Sequence, residues 1–79
     1  MKQANLVFYF ENKKEAEIIS ESVKPEIIHK IPKTDVDATV EENKFLLKIE
    51  AEDLSSLRAA CNSYIRWIDT AYKVEQKIE

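Results

Sequence analysis

The side chains able to do chemistry gather in one stretch, Asp53 to Ile68 (D-L-S-S-L-R-A-A-C-N-S-Y-I-R-W-I), which holds both arginines, the only cysteine and the only tryptophan of the sequence. Arg58, Asn62 and Arg66 recur every four residues, so on a helix they stack in one line as a ridge of hydrogen-bond donors facing a protein partner or an RNA phosphate. Asn62-Ser63 is a poor helical pair by propensity, which suggests that something specific holds polar groups there. The ordinary explanation is a solvated helix face with a weak surface pair between Arg66 and Asp69.

Catalysis has little to work with. Cys61 has no charged activator beside it in the sequence and is expected to be an inert, buried thiol. His29, between Ile28 and Lys30, has no spaced partner for metal binding, so a surface or packing role is expected. Asp35, Asp37, Glu41 and Glu42 suit a solvated hairpin, and a catalytic carboxylate pair would need a cleft that nothing predicts. Glycine is absent from the sequence, and with it any glycine-rich phosphate loop. The expectation is a binding part that carries no cofactor or metal and is not an enzyme.

A chain of 79 residues has room for one core, so residues 1–79 are expected to form one domain. A domain this small gains margin from disulfides, metal or a partner; one cysteine and one histidine leave the partner. The single cysteine fits a reducing compartment, and the apolar run ending at Phe10 is too short for a signal peptide or a membrane span, so a cytoplasmic protein is expected. The net charge of -3 argues against a domain that grips nucleic acid alone, because phosphate neutralisation needs clustered cations.

Asn5 to Phe10 reads as a strand, with Leu6, Phe8 and Phe10 on one face and Val7 and Tyr9 on the other. An apolar second face suggests cover from another chain, or a Tyr9 that keeps its hydroxyl in water. Asn12 with Glu15 forms a capping box that opens a helix from Lys13 to about Val23, with Ala16, Ile19 and Val23 as its buried face. Pro25 should end that helix and leave Lys24 to Lys33 extended. Thr34–Glu41 and Lys44–Ala51 form a hairpin about Glu42-Asn43, with Val40 opposite Phe45, Ala38 opposite Leu47 and Val36 opposite Ile49. On the reverse face Asp37 meets Lys48 and Thr39 meets Leu46, and a one-residue slip would bury Asp35 and Asp37. Asp53 caps a last helix that runs to near Ile78. The expected fold is α+β: a two-layer β-α-β-β-α chain whose three-stranded antiparallel sheet carries two helices on one face.

Projected at the helical period, Leu54, Leu57, Cys61, Tyr64, Ile65, Ile68 and Tyr72 form a core stripe. Beside it runs a second stripe of Ser56, Ala60, Ser63, Trp67, Val74 and Ile78. Together they span about half the circumference, wider than the roughly 100° a surface helix needs. The short first helix covers only part of the excess, so Ala60 and Ser63 beside Trp67 form a seat and an anchor for a foreign helix. The alternative is that Trp67 completes the internal core.

Pro25-Glu26, the strand L-L-K-I-E-A and above all D-L-x-x-L-R-A-A-x-N-S-Y-I-R-W-I resemble the small Pcc (polarised growth chromatin-associated controller) subunit of the KEOPS complex, also called EKC. The resemblance covers nearly the whole chain; Cys61 departs from the small or apolar residue expected at its position. It implies a non-catalytic subunit that homodimerises and brings two copies of the threonylcarbamoyltransferase catalytic subunit into one assembly. That assembly makes threonylcarbamoyladenosine in tRNAs reading codons that begin with A. By motif position it marks Arg58, Asn62, Ser63, Arg66 and Trp67 as interface candidates, which join Ala60 from the helical projection. It leaves ATP, metal and the adenylate intermediate to the partners, so no small-molecule substrate, no membrane and only indirect or weak tRNA contact are expected of this chain. The competing reading is a small RNA-binding module, which the acids of the hairpin's outer face oppose.

Overall fold

The structure is a computed structural model that describes the backbone of residues 1–28 and 31–78 and the side chains of residues 1–28 and 31–73. The elements follow in the order β1 (Lys2–Tyr9), α1 (Lys13–Ile28), β2 (Thr34–Glu41), β3 (Lys44–Ala51) and α2 (Leu54–Ile78). The α+β, two-layer arrangement read from the sequence is the one observed. β3 is the central strand of an antiparallel sheet ordered β1-β3-β2.

The hairpin takes the expected register, with Val40, Ala38 and Val36 opposite Phe45, Leu47 and Ile49, and Asp37 opposite Lys48. Slippage would move the buried set to the wrong face, so the period-two pattern fixes the pairing. In a chain without glycine, Glu42 takes a left-handed φ of 55° at the first position of the turn, where two-residue hairpins usually place glycine. Asn43 ties β1 to that turn: its carbonyl accepts from the Phe10 amide at 2.9 Å, and its side-chain amide donates to the Phe10 carbonyl at 2.8 Å.

Phe45, Leu47, Ile49 and Ala51 of β3 are completely covered, beneath Ile19 and Val23 of α1 and Leu57, Ala60, Tyr64 and Ile68 of α2. Burying Phe45, Leu47 or Ile49 stabilises the fold by about 1.5–3 kcal/mol per side chain. α1 lies mainly across β2 and β3, and α2 mainly across β3 and β1, so each helix covers one half of a single sheet face.

Both ends of β1 and the end of α1 differ from expectation, with β1 closing at Tyr9 rather than Phe10. β1 begins at Lys2 rather than Asn5, because β3 offers pairing partners as far as Ala51. α1 runs through Pro25 to Ile28 instead of ending near Val23. Proline forfeits one backbone bond and crowds the turn before it, but the added turn sets Ile27 against the core; burial outweighs the local preference. Lys24 to Ile28, expected to be extended, are therefore helical, and Pro32-Lys33 form a turn before β2. His29, expected at the surface or in packing, lies outside the described residues.

Both helix starts are capped as read. The Asn12 side chain accepts from the Glu15 amide at 2.8 Å, and the Glu15 carboxylate accepts from the Glu11 amide at 3.1 Å. The Asp53 carboxylate accepts from the Ser56 amide at 2.7 Å, which holds its pKa below the ordinary value of 3.8, with further lowering from the Ser56 side chain and from Lys33. A lowered carboxyl pKa means stability that is present above the unfolded-state value and lost as pH falls through the folded one. Asp53→Ala should therefore lower the thermal midpoint at pH 7, and the gap from wild type should close as the pH is taken from about 4 towards 2. A gap unchanged over that range would rule out the cap.

Candidate functional site

α2 has one covered side and two flanks, and the interface candidates divide between them. Leu57, Ala60, Tyr64 and Ile68 are buried against the sheet and α1. The buried face is therefore rotated towards Ala60 relative to the projected core stripe. Ala60, expected to seat a foreign helix, is 0% exposed and serves this chain's own core. Conversely Leu54 and Ile65, expected in the core stripe, are 53% and 45% exposed. The sheet ends at β1, so it is too narrow to cover that side of the helix.

The flank towards β1 forms an open groove of about 850 Å³. Its apolar lining comes from Val7 and Phe10 at the end of β1 and from Ile65 and Tyr72 on α2, with Asn62, Arg66 and Asp69 along its polar side. Phe10 and Tyr72 rings lie 5.9 Å apart and close one end. Val7 is 45% and Tyr9 70% exposed on an edge strand whose outward amides and carbonyls have no neighbouring strand. Tyr9 lies beneath the Lys44 ammonium, 6.0 Å from the ring centre. Asn62 and Arg66 therefore share the groove, while Arg58 lies exposed on the same face one turn earlier. Asp69 pairs with Lys73 at 3.1 Å instead of with Arg66, and both are too exposed for that pair to add much stability.

The opposite flank carries Ser63 and Trp67, both half-buried. Trp67 packs edge-on against Tyr64, ring centres 5.2 Å apart at 78°. Tyr64 is completely buried, and burial followed by the Glu26 carboxylate of α1 raises its phenol pKa. One side of Trp67 thus completes the core, while the other remains open to solvent.

Reading the sequence missed the groove itself. Val7 and Tyr9 were legible as an apolar outer face, but nothing in the sequence tells that β1, and not β2, runs alongside α2. Among the described residues no group of three or more histidine, cysteine or acidic side chains could hold a metal ion, and no helix is long and apolar enough to cross a membrane. The arrangement offers surfaces for association.

The family model described as "Transcription factor Pcc1" matches residues 3–76. The chain is 35% identical over 74 residues to the KEOPS complex subunit Pcc1 of Pyrococcus abyssi (strain GE5 / Orsay), a match covering 91% of this chain and 89% of that protein. In structure it resembles a chain from the crystal structure of the binary complex Gon7-Pcc1, with a TM-score of 0.87 and 26% identity over 99% of this chain and 96% of the other.

Cys61 is only partly covered, and that burial raises its thiol pKa. Iodoacetamide at pH 8 should label native protein several-fold more slowly than protein unfolded in guanidinium, because the thiolate is the reacting form. Equal rates would contradict the assigned environment.

Proposed function

Because this chain belongs to the Pcc1 family, we propose that it serves the KEOPS assembly as a non-catalytic, cytoplasmic adaptor: a homodimer that gathers copies of the threonylcarbamoyltransferase catalytic subunit for threonylcarbamoyladenosine modification of tRNA. The observation that carries this reading is the division of α2 into two open flanks with different lining. A second copy fits the β1 flank. From Gln3 to Tyr9 the β1 edge bears no charged side chain, so two such edges can run antiparallel without like charges meeting. The same approach covers Val7 and Ile65 on both copies, as a self-complementary two-fold contact requires.

The other flank suits the helices of the catalytic subunit. Small Ser63 permits close approach, and Trp67, anchored on Tyr64, supplies a rigid aromatic contact of the kind that dominates interface energies. Arg58, Asn62 and Arg66 then belong with the dimer flank, where their donors reach backbone and carboxylate oxygens of the mate. Chemistry on tRNA falls to the catalytic subunit. A role gripping nucleic acid alone is disfavoured by the net charge of -3 and by Asp35, Asp37 and Glu41 on the sheet's outer face.

Light scattering across a dilution series should give twice the 9.2 kDa chain mass, and Ile65→Glu should yield a folded monomer. A wild-type protein that stays monomeric at high concentration would sink the dimer. For the second flank, Trp67→Ala should weaken capture of the catalytic subunit at least about tenfold, as loss of an interface hot spot does. Since Trp67 also supports Tyr64, Ser63→Arg gives the same test without opening the core, and wild-type capture by both variants would remove this flank from the interface.

A further inference from the structure

β2 is the other edge of the sheet. Along Thr34–Glu41 alternate residues turn their amides and carbonyls outward, and of these the Thr34 amide is taken, donating to the Ile31 carbonyl at 3.2 Å. On the helix side Val36 and Val40 are only half-buried and Ala38 is exposed, whereas Phe45, Leu47 and Ile49 opposite them are fully covered. On the outer side Asp35, Asp37, Thr39 and Glu41 stand in one exposed row. Lys48 and Lys44 lie across from Asp37 and Glu41 on β3, one strand further in, so the outermost charges of this edge are negative.

We propose that the β2 edge docks an extended basic segment of a protein partner as a fourth strand. Its backbone completes the unpaired ladder. Apolar residues at one parity cover Val36, Ala38 and Val40, and lysines or arginines at the other face Asp37 and Glu41. Charge selects this occupant. A second β2 edge would set acid against acid, the β1 edge of another copy offers only Lys2 as a cation, and RNA phosphate would meet the same carboxylates.

The test is titration of the isotope-labelled full chain with the acetylated, amidated peptide KVKVKVK, followed by amide NMR at low salt. Saturable shifts and slowed amide exchange confined to β2 are expected. Asp37→Asn with Glu41→Gln should weaken binding between about twofold and thirtyfold, the range for two cross-strand charge pairs. Ile65→Glu should leave binding unchanged, which separates this site from self-association at β1. Absent binding, shifts centred on β1, or equal binding by a peptide N-methylated at alternate residues would each overturn the proposal, the last because charge without strand pairing would then suffice.

Discussion

Everything in this molecule hangs on β3 being paired along its whole length on both sides. Lys44–Ala51 gives a partner to every residue from Lys2 to Tyr9 and to every residue from Thr34 to Glu41. Its four inward side chains, completely covered, hold both helices to one face. With a central strand fixed this way the other two must be edges. A helix laid along each half of a sheet only three strands wide then has an outer flank with nothing beneath it. The open groove beside α2 follows from strand count and order.

That constraint separates what the sequence could tell from what it could not. The hairpin was legible to the residue because a period-two pattern checks its own register: Val36, Ala38 and Val40 had to meet Ile49, Leu47 and Phe45. The caps at Asn12 and Asp53 were legible because they are satisfied within four residues. Strand order is a long-range choice with no local mark. Without it the projection of α2 put Leu54 and Ile65 in the core and Ala60 at the surface, the reverse of what the edge position of β1 imposes. Pro25 misled for a related reason, since its penalty is local and its compensation, the packing of Ile27, is tertiary.

The ridge of Arg58, Asn62 and Arg66 shows how far periodicity reaches. Spacing aligned the three residues but could not say what they border. The fold sets Asn62 and Arg66 beside Val7 and Phe10 of a different element, on the flank opposite Trp67. Residues that a shared motif groups together therefore face two directions, and a single helix can serve two contacts without either competing for the other's side chains.

The unlike charge of the two sheet edges limits how large an assembly of identical copies can grow. A chain whose two edges matched each other would stack edge to edge without end, as fibres do. In the proposed dimer the β1 edge, uncharged from Gln3 to Tyr9, would pair with its own copy and be consumed on both copies at once. What then faces outward at either end is β2, whose aspartates and glutamate repel any further copy presenting the same strand. If β1 edges pair as proposed, the acidic β2 edges left outermost would oppose further strand-to-strand growth.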